Sequence, residues 1–172
     1  MPAIENERSS SEELVITRTF DAPRALVWKV WTEREHLMHW WGPKGLTMVS
    51  AKVDLRPGGI FHYGMKAANG DEMWGKFVYR EISEPDRLVF VVSFSDPDTN
   101  TVRAPFSETW PLEVQSTLTL VEEGGKTTVT MRAIPVNANE EEWRSFAAMH
   151  VSMRGGWGGT LDQLEAYLGS QR

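Results

Sequence analysis

A long apolar stripe near the C-terminus is the feature that most limits how this chain can fold. Large and mostly apolar side chains recur there every seven residues, with a second set beside them at helical spacing: Trp143, His150, Trp157 and Leu164, then Phe146, Met153, Leu161 and Leu168. The pattern predicts one long amphipathic helix, and Asn139 with Glu142 supplies an N-x-x-E capping pattern at its start. Such a helix buries its stripe only if the preceding residues provide a matching apolar surface.

That surface is predicted to be an antiparallel sheet. A β-rich run at 14–20 leads into Asp21-Ala22-Pro23, which suits a helix start, and two short helices follow up to about residue 41. Alternating apolar and polar residues, separated by turns rich in Gly, Pro, Asn and Asp, predict further strands at about 46–55, 60–65, 72–82, 87–95, 112–121 and 126–134. The expected fold class is therefore α+β, with a sheet of about six to seven strands covered on one face by the terminal helix.

Length, charge and cysteine content exclude several classes of protein. The 172 residues predict a polar, disordered tail over 1–12 and one domain over 13–172. The sequence has no cysteine, which excludes disulfides, thiolate zinc sites and a cysteine nucleophile. Its net charge of −6 disfavours nucleic-acid binding, and no apolar run reaches the length of about 18 residues that a membrane span needs. The N-terminus lacks an apolar signal core, so we expect a cytoplasmic protein.

The aromatic and methionine content gives the first indication of function. The chain has 8 Trp, 7 Phe, 3 Tyr and 8 Met, and strand alternation together with the helical stripe directs many of them toward one interior. Two interpretations are open: an ordinary packed core, or the wall of a pocket for an apolar molecule. On the second interpretation the candidate ligand-binding residues are Trp40, Trp41, Phe61, Tyr63, Met65, Phe77, Phe90, Phe94, Trp110, Met131, Phe146, His150, Met153 and Trp157.

Two local motifs bear on this pocket. In Trp40-Trp41-Gly42-Pro43, adjacent residues on a helix point about 100° apart, so only one Trp is expected to point inward, where it closes the mouth of the pocket or plugs the sheet edge. In Gly155-Gly156-Trp157-Gly158-Gly159, each glycine costs a helix about 1 kcal/mol relative to alanine. Close approach of helix and sheet, room for a ligand beside Trp157, or a helix break with a second capping box at Thr160 and Gln163 would each explain the run.

Polar and titratable residues provide few indications of chemistry. The four histidines lack metal-ligand spacing, so neither a metal nor another cofactor is expected. His62 alternates out of phase with the inward strand residues and is predicted to be exposed. His150 on the helical stripe is either a buried structural group or a ligand contact, and His150 and Tyr63 are the candidate catalytic residues for proton transfer. Trp74 is out of phase with Phe77, which makes it a candidate for an exposed face that contacts a protein partner or a second copy in a homodimer.

Several spaced motifs together resemble one known family. They follow in order along the chain: Phe20-Asp21-Ala22-Pro23-Arg24-Ala25-Leu26-Val27-Trp28, Trp31-Thr32-Glu33, Trp40-Trp41-Gly42-Pro43, Asp54-Leu55-Arg56-Pro57-Gly58-Gly59 and Gly155-Gly156-Trp157. The set is similar to the activator of heat-shock protein 90 ATPase homologue branch of the START-like (SRPBCC) helix-grip superfamily. The likeness extends over about residues 13–168, nearly the whole chain.

The resemblance implies a curved antiparallel sheet that grips the long C-terminal helix and encloses a hydrophobic cavity. Members of the superfamily include small-molecule binding proteins, polyketide cyclases, aromatase-like enzymes and co-chaperone domains linked to the stress response. The function expected first is binding of a small hydrophobic or aromatic molecule. The alternatives are a cyclase-like enzyme that uses the same cavity, with His150 or Tyr63 moving a proton, and a chaperone-associated interaction domain that uses the face around Trp74.

Overall fold

The fold is described by a computed structural model that covers residues 13–42 and 45–171. The predicted tail over 1–12 lies outside the described residues. Within them the chain forms eight strands and four helices: β1 (Leu14–Phe20), α1 (Arg24–Thr32), α2 (Arg34–Trp40), β2 (Leu46–Val53), β3 (Ile60–Ala67), β4 (Glu72–Ser83), β5 (Arg87–Ser95), β6 (Thr101–Val102), β7 (Val114–Glu123), β8 (Lys126–Pro135), α3 (Glu140–Ala148) and α4 (His150–Ser170).

The strands form one open antiparallel sheet in the order β1-β8-β7-β5-β4-β3-β2. The two-residue strand β6 pairs with β5 off this path, and the sequence did not predict it because two residues are too few to show alternation. The predicted α+β class, the two short helices after β1 and the long C-terminal helix are confirmed. No helix in the described ranges is both long and apolar enough to cross a membrane.

Alternation along the strands sorts the side chains onto two faces. On the face that packs against the helices, here called the inner face, Phe61 lies opposite Phe77, and Tyr79 lies opposite Phe90. All four are buried. The core on this face continues into α1, α2 and the second half of α4 through Val27, Trp31, Leu37, Trp40, Leu161, Leu164 and Leu168. These helical side chains fill one half of the inner face.

The C-terminal stripe folds as two helices rather than one. At the start of α3, Asn139 Oδ1 accepts from the Glu142 N–H at 2.8 Å and Glu142 Oε1 accepts from the Asn139 N–H at 3.0 Å, which confirms the capping box. The helix ends at Ala148, and Met149 has φ −96° and ψ 4° before α4 begins. The prediction of a single helix is wrong at Met149, because a side-chain period continues unchanged across a short backbone break.

Side-chain hydrogen bonds fasten α4 to the rest of the fold over its second half. Arg18 pairs with Asp162 at 2.5 Å. Thr160 Oγ1 and Gln163 Nε2 both donate to the carbonyl oxygen of Gly42, at 3.1 and 2.7 Å. The alternative of a helix break with a second capping box is therefore excluded: α4 is continuous there, and these two side chains bind the Gly42 carbonyl instead.

The outer face differs from the prediction at His62 and Trp74. His62 is only 4% exposed, and its Nε2 lies 3.2 Å from Ser95 Oγ and 3.1 Å from the Asp96 carbonyl oxygen. Trp74 is half-buried and stacks on His62 with ring centroids 5.2 Å apart. The prediction that both are exposed is wrong because Gly64, opposite Trp74, has no side chain and lets the indole lie down over β3.

Candidate functional site

A cavity of about 400 Å³ lies between the inner face, the segment 103–113 that precedes β7, and the first half of α4. Methionine and aromatic side chains make up much of its wall: Met65, Met73, Met131, Met149 and Met153, with Trp41, Tyr63, Phe94, Phe106, Trp110 and Trp157. Every described residue that lines the cavity is uncharged. Thioether and aromatic groups form an adaptable apolar surface, so the wall suits an apolar guest.

The cavity exists because small residues occupy positions where large ones would fill the space. On the sheet these are Ser116 and Ala133, which lie opposite each other in β7 and β8. On α4 the small residue is Gly156, where an added Cβ would meet no atom within 4 Å. The same open space surrounds Gly155, so close approach of helix and sheet does not explain the glycine run. The first half of α4 spans the cavity rather than packing on the sheet.

Trp40 and Trp41 both point inward, but only Trp41 reaches the cavity. Trp40 ends α2 in the core, where its Nε1 donates to the Val30 carbonyl at 2.9 Å and its ring lies 4.7 Å from Trp31. Trp41 has an extended backbone, with φ −69° and ψ 136°, and lines the cavity with its ring 5.2 Å from Trp157. The expectation that only one of the two points inward is wrong because helical spacing no longer applies once α2 has ended.

Tyr63 brings a hydroxyl group to the cavity. The residue is 7% exposed, and its ring lies across Gly75, where an added Cβ would be 2.5 Å from the hydroxyl oxygen. The rings of Trp41 and Phe61 pack against it at centroid distances of 5.7 and 4.9 Å. Burial raises the pKa of the Tyr63 hydroxyl well above its usual value, and the nearby Trp41 N–H opposes this rise only in part. The hydroxyl therefore stays protonated and neutral.

The candidate ligand-binding residues fall into two groups. Eight line the cavity: Trp41, Tyr63, Met65, Phe94, Trp110, Met131, Met153 and Trp157. Six lie outside its wall: Trp40, Phe61, Phe77, Phe90, Phe146 and His150. The second group is illustrated by Phe77 and Phe90, whose rings stack at 4.1 Å in the layer behind the wall. Periodicity does not separate the groups, because both point toward the same interior.

The two candidate catalytic residues are not brought together at the cavity. Tyr63 lines it, whereas His150 is half-buried at the start of α4, with its ring 5.2 Å from that of Phe146. Across the described ranges no group of three or more His, Asp or Glu side chains could hold a metal ion. What the arrangement offers is an uncharged apolar space with a neutral phenol hydroxyl in its wall.

The segment before β7 forms one wall through Phe106 and Trp110, and an ion pair holds it to α3. Arg103 Nη1 donates to the Trp110 carbonyl at 3.0 Å and to Glu142 Oε2 at 2.6 Å. The Arg103 guanidinium holds the pKa of the Glu142 carboxyl below its usual value. Phe106 is 56% exposed and packs on Trp110 with ring centroids 5.5 Å apart. The wall is therefore anchored at Trp110 and open to solvent at Phe106.

Several lining residues were missed from the sequence: Gly75, Phe106, Ser116, Ala133 and Met149. A small residue at an inward strand position between large neighbours is a usable indication of unfilled space, and Ser116 and Ala133 are both of this kind, whereas the space beside Gly75 is taken by the Tyr63 ring. Phe106 and Met149 lie in an irregular segment and at a helix break, where no periodic pattern assigns a direction to the side chain.

Solved structures resemble this chain over most of its length. Protein NE0264 from Nitrosomonas europaea is 26% identical, with 94% of this chain and 97% of that protein covered and a TM-score of 0.73. Protein Ms6760 from Mycobacterium smegmatis is 25% identical, with 91% and 90% covered and a TM-score of 0.73. A protein from Arthrobacter aurescens is 24% identical, with 94% and 88% covered, and its TM-score of 0.76 shows the same fold. No curated protein matches this sequence.

The sequence profile described as Activator of Hsp90 ATPase homolog 1-like protein matches residues 21–169. The matched range begins after β1 and ends within the last turn of α4, so it contains every cavity-lining residue named above. The profile covers well over half of the chain, and the helix-grip fold and its cavity agree with the fold expected from the sequence motifs. The chain therefore belongs to the Activator of Hsp90 ATPase homolog 1-like protein family.

Proposed function

We propose that this protein binds a small, uncharged and largely apolar molecule in the cavity between the inner face and α4. The observation that carries the proposal is the cavity of about 400 Å³, whose described lining residues are all uncharged. Small-molecule pockets commonly measure about 300–1,000 Å³ and have mainly apolar and aromatic walls. Both the size and the chemistry of the cavity therefore fit this class of ligand, and so does the family to which the chain belongs.

Burial of apolar surface supplies most of the affinity in this proposal. A ligand that removes about 250 Å² of its apolar surface from water on binding gains roughly 6 kcal/mol at about 25 cal/mol per Å², before the cost of association is subtracted. The residues described in the wall offer no counter-charge, so an ionic ligand among them would lose its hydration without compensation. The preferred ligand is therefore neutral.

A cyclase-like reaction in the same cavity has less support. General acid–base catalysis needs a group at the cavity whose pKa lies near the working pH. Tyr63 has a raised pKa, which makes it a poor base, and His150 is not among the lining residues. The alternative of a protein-interaction domain also has less support, because Trp74, its candidate contact residue, packs on His62.

The proposal is tested by titrating the protein with N-phenyl-1-naphthylamine, a neutral apolar dye that fluoresces when it leaves water. The test variant is Gly156→Leu. Its added side chain starts in open space at the cavity wall, so it fills the ligand site without backbone strain and improves helix propensity by up to about 1 kcal/mol. We expect saturable binding to the wild type, and at least tenfold weaker binding to the variant.

Gly155→Leu is the matched control. Gly155 is adjacent on α4, an added Cβ there also meets no atom within 4 Å, and the residue is not part of the cavity wall. The control should bind the dye as the wild type does. Equal losses in both variants, or no dye binding by the wild type, would refute the proposed function.

A further inference from the structure

We propose that the Tyr63 hydroxyl donates the one directional hydrogen bond that orients the ligand, so that the ligand is a neutral molecule carrying an acceptor oxygen, such as a ketone or ester, on an apolar body. The inference rests on the proposed function and makes it more specific. It separates a ligand with a carbonyl group from a plain hydrocarbon on one side and from a carboxylate on the other.

The position of the hydroxyl is set by packing and not by a flexible side chain. The Tyr63 ring lies across Gly75, with the hydroxyl oxygen and the neighbouring ring carbons 2.5 to 2.8 Å from the point that a Gly75 Cβ would occupy. Three further rings enclose it: those of Trp41, Phe61 and Phe77, at centroid distances of 5.7, 4.9 and 5.9 Å. The hydroxyl therefore has a fixed location at the cavity wall, which is what orientation of a ligand requires.

The hydroxyl has a proton to donate. Burial raises the pKa of Tyr63, which keeps the phenol neutral. The ring of Trp41 packs against Tyr63, and Trp41 Nε1 makes no hydrogen bond of ordinary geometry within the described ranges. An indole N–H can only donate, so Trp41 cannot accept the phenol proton, which is left for a ligand oxygen.

The surroundings explain why the ligand is a neutral acceptor. The described wall holds no cation, so a carboxylate that reached Tyr63 would be a buried charge without a counter-ion. A pure hydrocarbon would leave the hydroxyl without a partner in an apolar site, which costs binding energy. Of the other wall hydroxyls, Thr160 already donates to the Gly42 carbonyl. Ser93, Ser116 and Ser152 also line the cavity and are the alternative donors.

The experiment compares two probes of similar size on three proteins. Prodan is a neutral naphthalene ketone whose emission and carbonyl stretching frequency both report hydrogen bonding, and anthracene is a hydrocarbon without an acceptor. The test variant is Tyr63→Phe. The matched control is Tyr79→Phe, which removes a hydroxyl that is buried in the core and outside the described cavity wall.

We expect Tyr63→Phe to weaken Prodan binding by about fivefold to tenfold and to shift the bound emission to the blue, while anthracene binds more tightly because no hydroxyl is left without a partner. Tyr79→Phe should change neither probe. In the wild type alone, the carbonyl stretch of bound Prodan should lie at the lower frequency of a hydrogen-bonded ketone. This measurement keeps the inference testable even if a variant folds poorly.

Each other outcome has a distinct meaning. If both probes bind the wild type and Tyr63→Phe leaves Prodan affinity and emission unchanged, the inference is overturned and the proposed function stands. The same holds if alanine at Ser93, Ser116 or Ser152, rather than Tyr63→Phe, causes the blue shift of the bound emission. If neither probe binds the wild type, the proposed function fails, and this inference fails with it.

Discussion

The ring of Tyr63 lies across Gly75 of the neighbouring strand, with its hydroxyl oxygen 2.5 Å from the point that a Gly75 Cβ would occupy. At the next pair of opposed residues, Gly64 and Trp74, the glycine and the aromatic residue have changed strands. The Trp74 indole lies across Gly64, with ring atoms 2.7 Å from the point that a Gly64 Cβ would occupy. The two pairs face opposite sides of the sheet because successive side chains of a strand alternate. One glycine thus leaves room for an aromatic ring at the cavity, and the other leaves room for one on the outer face.

We expect Gly75→Ala to weaken dye binding and to lower the free energy of unfolding. The added methyl group overlaps the Tyr63 ring, which then has to turn into the cavity and take space from the ligand. Overpacking of this kind typically costs about 1–3 kcal/mol. Urea unfolding measures the stability, and titration with N-phenyl-1-naphthylamine measures the binding.

Gly64→Ala separates the two effects, because it creates the same kind of overlap with Trp74 on the outer face. It should lower stability by a similar amount and leave dye affinity unchanged. A parallel loss of dye binding in both variants would mean that general destabilisation, and not the position of Tyr63, controls the cavity.

Substitutions at Trp40 and Trp41 should have different consequences although the residues are adjacent. Trp40→Leu removes a fully buried ring and the hydrogen bond to the Val30 carbonyl, so we expect a loss of roughly 3–4 kcal/mol in unfolding free energy. Trp41→Leu enlarges an existing cavity and should cost less, while it changes dye affinity and emission. Chemical denaturation and dye titration of the two variants check this. A larger stability loss at Trp41 than at Trp40 would contradict the assignment of Trp40 to the core.

The first half of α4 should exchange its amide hydrogens faster than the second half. Val151 is 82% exposed, and Gly155 and Gly156 each lower helix propensity by about 1 kcal/mol relative to alanine. The contacts of Thr160 and Gln163 with Gly42 hold only the second half. Hydrogen exchange followed by mass spectrometry should show at least tenfold faster exchange over 150–157 than over 160–168. Uniform protection along α4 would show that the helix opens as one unit.

The Arg103–Glu142 pair should make stability depend on pH in the acid range. Arg103 depresses the pKa of Glu142 in the folded state, so the stabilisation is present above the unfolded-state value of about 4.3 and is lost as the pH falls through the lower folded-state value. Glu142→Gln keeps a capping side chain but removes the charge. We expect it to lower stability at pH 7 by about 1 kcal/mol or less, since Arg103 is half exposed.

In that experiment the difference between wild type and Glu142→Gln should shrink toward zero near pH 3, as followed by urea unfolding at several pH values. Glu141→Gln, at an exposed position in the same turn, is the matched control and should show no such dependence. A difference that stays constant with pH would show that the Glu142 side chain acts through packing and not through its charge.

Much of the architecture was predictable because it depends on local patterns. Alternation along β3 and β4 correctly directs Phe61, Tyr63 and Phe77 to one face, and the capping pattern at Asn139 correctly starts α3. The errors occur where the backbone departs from helical geometry while the side-chain pattern continues. Met149 interrupts the helix without disturbing the apolar period. The helix α2 ends at Trp40, so the direction of the Trp41 side chain does not follow helical spacing.

The sequence by itself determined the α+β class, the order of the elements and which side chains point inward, because periods of two and of about 3.6 residues are properties of neighbouring residues. Only the tertiary structure decided which inward side chains face a cavity and which are packed behind it. The volume left unfilled depends on the sizes and positions of several residues that are distant in sequence. Ser116, Ala133 and Gly156 create the space only because the sheet order and the path of α4 bring them together around it.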